Sequence, residues 1–162
     1  LHTISDFERI SDHSVNLLES AEEMHTKDIQ FSQDARDELQ VLEDAVQDIL
    51  NRTTVAFHKG DLHLASKVEP LEAVVNELVR AIKAHHIARL QAGNCSIEYG
   101  FVLDDLLTNY ERVADHCSNI AVAMIELESD SFDTHEYLNS VKAMKSASFA
   151  RYSAEYQKKY TL

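Results

Sequence analysis

With 162 residues, the chain is long enough for one domain with a sizeable buried core. Three Gly, one Pro and no Trp leave few turn signals, and the abundant Leu, Ala, Glu, Asp and Val favour helices, so we predict an all-α fold. The 28 acidic residues outnumber the 15 Lys and Arg, and the net charge of −13 would repel a phosphate backbone, which argues against nucleic acid as a partner.

The first two predicted helices cover residues 2–26 and 33–59. In the second, apolar side chains recur in alternating steps of three and four residues, which is the period of a helix with one buried face. Gly60 and Asp61 predict its end and the start of the next helix, because Gly suits a helix C-terminus and Asp an N-cap. The stripe consists of Leu39, Leu42, Val46, Ile49, Thr53 and Ala56.

The next two predicted helices cover residues 61–92 and 96–128 and keep the same spacing. Pro70 predicts a kink or a late start in the first of them, and Gly93 predicts its end. Because three successive helices share this spacing, we predict an antiparallel bundle with coiled-coil-like packing. Their stripes are Val68, Leu71, Val75, Leu78 and Ile82, and then Leu103, Leu106, Tyr110, Val113, Cys117, Ile120, Met124 and Leu127.

A last helix is predicted from residue 133, where Asp133 and Glu136 form the pattern of a capping box. Residues 133–162 hold three acidic and five basic residues, so this tail is mildly basic while the rest of the chain is acidic. We expect the tail to pack against the bundle, with a partner-binding helix as the alternative. Its apolar face carries Tyr137, Val141, Met144, Tyr152, Tyr156 and Tyr160.

One polar pattern occurs twice, as DFERISDHSVN at residues 6–16 and NYERVADHCSN at residues 109–119. A shift of 103 positions superimposes the Glu-Arg, Asp-His and Asn of both stretches and keeps the apolar register, which indicates a duplicated helical unit. On a helical wheel Glu111, Asp115 and Asn119 lie away from the apolar stripe, so any site they form faces outward. Carboxylates one turn apart can coordinate hard or borderline cations, although any solvated helix face also carries acids.

The doubled Glu-Arg-Ile/Val-x-Asp-His-x-x-Asn signature resembles that of the PhoU family of phosphate-uptake regulators. It is also similar to the PhoU-like C-terminal domain of bacterial sodium/phosphate cotransporters. The resemblance implies a three-helix unit that occurs twice, with the signature on the third helix of each unit. It further implies multinuclear iron or zinc clusters that bind to acidic motifs on the surface of the bundle.

The resemblance implies metal ligands on the signature helix of each repeat and on the second helix of the complete repeat. A further one comes from the first helix of that repeat, where Gln47 replaces the usual Glu of the family and Asp48 or Asp44 is the candidate substitute. The expected ligands are Glu111 and Asp115, Glu72 and Asn76, Glu8 and Asp12, and Asp48.

We expect a single PhoU-like domain over residues 1–162. In it, residues 1–26 are the last helix of repeat one, residues 33–128 the full three-helix repeat two, and residues 133–162 a C-terminal helix. The first two helices of repeat one have no counterpart in this chain, and a homodimer is one way to supply them. The tail FDTHEYLNSVK resembles the cotransporter type, which suggests a fragment of such a protein.

The resemblance implies a non-enzymatic, metal-binding regulator linked to phosphate transport, with phosphate transporter or sensor proteins as partners. Its expected place is the cytoplasm, either alone or as the cytoplasmic domain of an inner-membrane transporter, with membrane association only through the parent protein. Two alternatives stay open. One is a metal-free helical interaction module whose acidic face meets a basic partner, and the other, based on the single Glu22-x-x-His25 motif, is a ferritin-like di-iron protein.

The chain's two Cys residues form neither a disulfide framework nor a metal-binding pattern. Cys117 belongs to an apolar stripe, which predicts a position in the core. His13 and His116 follow the repeated Asp and are either ligands or neighbours of a site. His85 and His86 are expected to interact with the C-terminus of their helix.

Overall fold

The computed structural model describes the backbone of residues 2–129 and 135–162 and the side chains of residues 3–127 and 146–162. These residues form helices and turns and contain no strand, which confirms the all-α prediction. None of the described helices is long and apolar enough to cross a membrane. The helices are α1 (His2–Thr26), α2 (Gln33–Lys59), α3 (Leu62–Ala65), α4 (Val68–Gln91), α5 (Ile97–Ser129) and α6 (His135–Lys159).

Helices α2, α4 and α5 enclose the apolar core. Each of them packs against the other two, because each carries one apolar stripe that has to leave water. Burial of a Leu, Ile or Val side chain contributes about 1.5–3 kcal/mol, so the stripes account for the packing of the bundle. The largest fully buried side chains include Leu42, Ile49, Leu71, Ile82, Leu103, Leu107 and Ile120.

The connection between α2 and α4 is built from the predicted turn residues. Gly60 follows α2 in the left-handed conformation, with φ of 64°. Asp61 then caps α3, because its side chain accepts a hydrogen bond from the Leu64 amide at 2.9 Å. Pro70 lies in the first turn of α4, where its missing amide hydrogen breaks no helical bond, so the predicted late start is confirmed.

Helix α6 packs along α4 and reaches α2 through its side chains. Tyr152, Tyr156 and Tyr160 recur every four residues and are only 5–7% exposed. Arg52 of α2 lies over the Tyr156 ring, 5.3 Å from its centroid. The prediction that the tail packs against the bundle is confirmed for its described part. Outside the described side chains lie Tyr137, Val141, Met144 and the expected capping box of Asp133 and Glu136.

Helix α1 runs antiparallel to α5 and packs mainly against it. Lys27, just beyond the end of α1, pairs with Glu98 in the first turn of α5 at 3.4 Å. Near the other end, the ring of Phe7 meets that of Phe57 from α2, with centroids 5.0 Å apart. The opposite side of α1 exposes apolar side chains to solvent, namely those of Ile4, Val15 and Leu18.

Two turn residues generate opposite predictions about backbone strain. Asp28 has φ of 51° and Gly60 has φ of 64°, a left-handed region that costs an L side chain free energy and costs Gly nothing. We expect Asp28→Gly to raise the free energy of unfolding by about 0.5–1 kcal/mol. Gly60→Ala should lower it by about 1 kcal/mol, although no atom lies within 4 Å of the added Cβ.

Urea unfolding followed by far-ultraviolet circular dichroism measures both variants. An Asp28→Gly protein that is less stable than the parent chain would contradict the assignment of strain to this turn.

Candidate functional site

The two copies of the repeated motif face each other where α1 crosses α5. Nδ1 of His116 lies 2.9 Å from Oδ1 of Asp6, and the side-chain amide of Asn119 donates to the same oxygen at 3.3 Å. Because an ionised carboxylate can only accept hydrogen bonds, the imidazole is the donor here. Asp6 and His116 retain only 15% and 13% of their side-chain exposure, so this hydrogen bond is largely shielded from water.

A symmetry-related contact joins the other ends of the motifs. Nδ1 of His13 lies 2.9 Å from the amide oxygen of Asn109, and Asn16 donates to the same oxygen at 3.2 Å. Between the two sets, the rings of His13 and His116 stack with centroids 5.6 Å apart. We call this arrangement the α1–α5 seam, and its residues are Asp6, His13, Asn16, Asn109, His116 and Asn119.

The seam explains why the chain repeats its His and Asn residues. A shift of 103 positions converts each hydrogen bond of one set into a hydrogen bond of the other, so the two helices are related by a local two-fold axis. The Nδ1 atoms of His13 and His116 serve to join helices, and Asn119 faces Asp6 rather than a cation. The acids of the motif are the residues that stay candidates for a site.

Sequence analysis did not single out Asp6 and Asn109, which are the acceptors of the seam. They occupy equivalent positions, each seven residues before a seam His, but differ in identity. A comparison that looks for identical residues therefore passes over them. A comparison by hydrogen-bonding capacity would have found them, because a carboxylate and an amide oxygen can each accept two bonds.

At the crossing of α4 and α5, Glu72 lies near Asp115, whose charge acts on the Glu72 carboxyl group. Burial, and then the charges of Asp115 and Glu69, raise the pKa of Glu72, while a hydrogen bond from Asn76 opposes the shift in part. Oδ1 of Asn76 is buried and has no hydrogen-bond partner among the described residues. We call Glu72, Asn76 and Asp115 the α4–α5 acidic site, and its oxygen atoms suit a hard or borderline cation.

Three other expected ligands lie outside this group of contacts. Glu8 and Asp12 are exposed on α1. Glu111 is half-buried one turn before Asp115 on α5, and Arg112 contacts the Asp115 carboxylate at 3.4 Å. Metal binding at Glu8, Asp12 and Glu111 stays a prediction.

Asp48, the expected substitute for a family glutamate, is occupied by other groups. Arg52 contacts its two oxygens at 2.7 and 3.1 Å, and Lys159 and Tyr160 donate to Oδ2 at 3.1 and 2.7 Å. Burial would raise the pKa of Asp48, but these hydrogen bonds outweigh it and lower the pKa. All three partners belong to α2 or to the C-terminal end of the chain, so Asp48 anchors the tail and lies apart from the α4–α5 acidic site.

Among the described side chains, no three His, Cys, Asp or Glu residues form a ready-made metal cluster. The motif considered for a ferritin-like centre places Glu22 and His25 on the exposed surface of α1. Such a centre needs carboxylates and imidazoles that point into the bundle from facing helices. In the part of the chain that the structure describes, this motif does not supply them.

The sequence profile of the PhoU domain matches residues 39–124, which is more than half of the chain. The chain belongs to the PhoU family. This PhoU domain is also 27% identical, over 139 residues, to the phosphate-specific transport system accessory protein PhoU homolog 1 of Thermotoga maritima. The alignment covers 86% of this chain and 59% of that protein, so the chain spans less than two thirds of its relative. No solved structure matches the chain.

The PhoU match begins inside α2 and ends inside α5. It contains all three residues of the α4–α5 acidic site, and it leaves α1 and α6 outside. The acidic site therefore lies in the part of the chain that carries the family resemblance. The α1–α5 seam joins this part to a helix that the match does not reach.

The α1–α5 seam predicts a structural role for Asp6. Asp6→Ala would leave the His116 imidazole and the Asn119 amide without an acceptor, and we expect the free energy of unfolding to fall by about 1–3 kcal/mol. Glu8→Ala, which removes an exposed acid from the same helix, is the matched control and should change it by less than about 0.5 kcal/mol. Urea unfolding measures both, and hydrogen exchange of α1 amides detects local opening. Equal losses in the two variants would contradict the role of the seam.

The raised pKa of Glu72 predicts that its ionised form destabilises the folded PhoU domain. Because the folded-state pKa lies above the unfolded one, the stability contributed by protonated Glu72 is present at low pH and is lost as pH rises through the folded pKa. We therefore expect Glu72→Gln, in metal-free buffer at pH 7, to raise the free energy of unfolding by about 0.5–2 kcal/mol. The gain should disappear below about pH 4, where Glu72 is protonated in both states.

Asp105→Asn is the matched control for Glu72→Gln, since it neutralises an exposed acid on α5 without touching the site. Thermal and urea unfolding across this pH range measure both variants. If Glu72→Gln lowered the free energy of unfolding at pH 7, the ionised Glu72 carboxylate would stabilise the fold, contrary to this prediction.

Proposed function

We propose that this PhoU domain is a regulatory module of phosphate transport that acts through protein contacts and not as an enzyme. Its family and the printed name of the Thermotoga maritima relative, an accessory protein of a phosphate-specific transport system, support this class of function. Phosphate transporter or sensor proteins are the proposed partners. The proposed place is the cytoplasm, where the domain acts either as a separate regulator or as part of a sodium/phosphate cotransporter.

The α4–α5 acidic site is the proposed sensing element. The observation that supports it is the proximity of Glu72 and Asp115 to a buried amide oxygen of Asn76 that has no hydrogen-bond partner among the described residues. Neighbouring carboxylates repel each other when both are ionised, and in the part of the chain that the structure describes Oδ1 of Asn76 has no hydrogen-bond partner. A cation bound among these oxygens would satisfy all three groups at once. The repulsion between the carboxylates and the amide oxygen without a partner among the described residues distinguish the site from an ordinary acidic helix face.

The ligand set fits one cation better than a multinuclear cluster. Two carboxylates and one amide oxygen fill part of a coordination shell, and water or partner groups would complete it. No third acid, His or Cys joins the two carboxylates among the described residues. Iron or zinc is the proposed metal, and Mn²⁺ belongs in the same test because it favours oxygen ligands.

Cation binding would alter the contact between α4 and α5. Neutralising the repulsion between Glu72 and Asp115 would stabilise the crossing of these helices, and α5 also carries one half of the α1–α5 seam. A tighter crossing would therefore affect how firmly α1 is held. On this proposal, the metal state of the site is read by a transport protein as a change in the α1 side of the domain.

Metal titration tests the proposal on the intact chain. We expect Fe²⁺, Zn²⁺ or Mn²⁺ to raise the melting temperature. At a metal concentration one hundred times the Kd, the free energy of unfolding should rise by about 2.7 kcal/mol. Glu72→Gln/Asp115→Asn should abolish the shift and the bound metal found by elemental analysis. Asp105→Asn should keep both.

A shift that survives in Glu72→Gln/Asp115→Asn would place the metal elsewhere, and no shift with any of the three metals would refute the sensing element. The proposed regulatory role would then be that of a metal-free interaction module. That module predicts partner binding that weakens with salt and does not respond to chelators.

A further inference from the structure

A cavity lies at the end of the bundle opposite to the start of α1. It has a volume of about 470 Å³ and is enclosed by the loop between α1 and α2, the last turn of α4 and the turn between α4 and α5. Its lining includes Phe31, His86, Arg89, Asn94, Cys95 and Tyr99. None of these residues belongs to the α4–α5 acidic site or to the α1–α5 seam, so the cavity is independent of the proposed function.

His86 is an unusual residue in this cavity, because it is only 9% exposed and has almost no partners. Its Nε2 makes no hydrogen bond to any described residue and points at Gly100, where an added Cβ would lie 2.7 Å away. Its Nδ1 lies 3.8 Å from Sγ of Cys95. Burial, and then the charge of Arg89, lower the pKa of His86, so the imidazole is neutral at pH 7.

This finding corrects the helix-capping role expected for His85 and His86. His85 contacts Glu38 at 2.7 Å, while His86 points into the bundle towards the thiol of Cys95. A buried polar atom without a hydrogen-bond partner, as Nε2 of His86 is among the described residues, costs free energy, and such atoms often belong to functional sites.

Arg89 adds a fixed positive charge beside the thiol. Its guanidinium forms two hydrogen bonds with Glu38, at 2.8 and 3.1 Å, which hold it in place. The hydrogen bond with Glu38 is the main cause that raises the pKa of Arg89, and Cys95 lies near enough to contribute to it. A thiolate formed at Cys95 would therefore have a positive neighbour, which is the setting in which cysteines become reactive.

We infer that Cys95 is a thiol-modification site that takes small disulfides, with His86 as the positioning base and the cavity as the space for the added group. The Cys95 thiol gives its proton to Nδ1 of His86, and the sulfur attacks one sulfur of the disulfide R–S–S–R. The R–S–S–R bond breaks as the bond between Cys95 and S–R forms. The departing sulfur takes the proton from His86 and leaves as R–SH, so Cys95 is oxidised and one half of the disulfide is reduced.

Cys117 serves as an internal control. Its side chain is fully buried in the core, and burial raises the pKa of its thiol to about 11. Both conditions suppress thiolate chemistry in the folded chain. Any reaction of the native protein should therefore occur at Cys95.

The test uses the full chain and bis(2-hydroxyethyl) disulfide at pH 7, with the adduct located by peptide mass mapping. We expect an adduct at Cys95 and none at Cys117. Cys95 should react faster in the folded chain than in the chain unfolded in urea, and His86→Gln should slow it by at least about tenfold. His85→Gln, which changes the neighbouring exposed imidazole, should leave the rate unchanged.

Circular dichroism checks that His86→Gln is folded, and the comparison of folded and unfolded parent chain needs no variant at all. A folded-state rate no higher than that of the unfolded chain would overturn the inference. So would equal rates in His86→Gln and His85→Gln, since Cys95 would then be an ordinary exposed cysteine.

Discussion

Helix α5 has to present three different surfaces on one cylinder, and this constraint places the other described helices around it. At about 100° per residue, its apolar stripe faces α2 and α4, and its Asn109, His116 and Asn119 project roughly 70–150° away from that stripe, towards α1. Asp115 projects in a third direction, roughly 170° from the centre of the stripe, and Glu72 of α4 lies near it. If α5 packed against other helices on every side, no surface would remain for the α4–α5 acidic site. If α5 carried only its apolar stripe, it would have no polar side chains to hold α1.

The helices and their ends follow from local sequence, which is why they could be predicted. The three-and-four spacing of Leu, Ile and Val fixes which side of α2, α4 and α5 is buried, whatever the partner helix is. Gly60 and Asp61 act on the backbone within one turn of themselves, so their effect is readable without a fold. The prediction that Cys117 belongs to the core was correct for the same reason.

The contacts of the polar residues could not be predicted in this way, because they depend on which helix comes to lie opposite. Asp48 was expected to be a metal ligand, and nothing in the sequence indicates that Lys159 and Tyr160 approach it from more than one hundred positions away. The seam has the same character: the repeat was visible, yet an antiparallel crossing had to be known before Asp6 and His116 could be paired. Periodicity predicts faces, and only tertiary packing predicts partners.

The local two-fold relation also separates the residues of the repeated motif that join α1 to α5 from the acids that remain candidates for a site. His13 and His116 have corresponding partners, because each contacts the residue at the equivalent position of the other motif. Asp12 and Asp115 do not: Asp115 is half-buried beside Glu72 of α4, whereas Asp12 is exposed on α1, with no helix in the described chain that corresponds to α4. The same residue in the same motif therefore has different chemistry in the two copies. The ligand role proposed for Asp115 depends on this second helix, because α4 brings the Glu72 carboxylate near it.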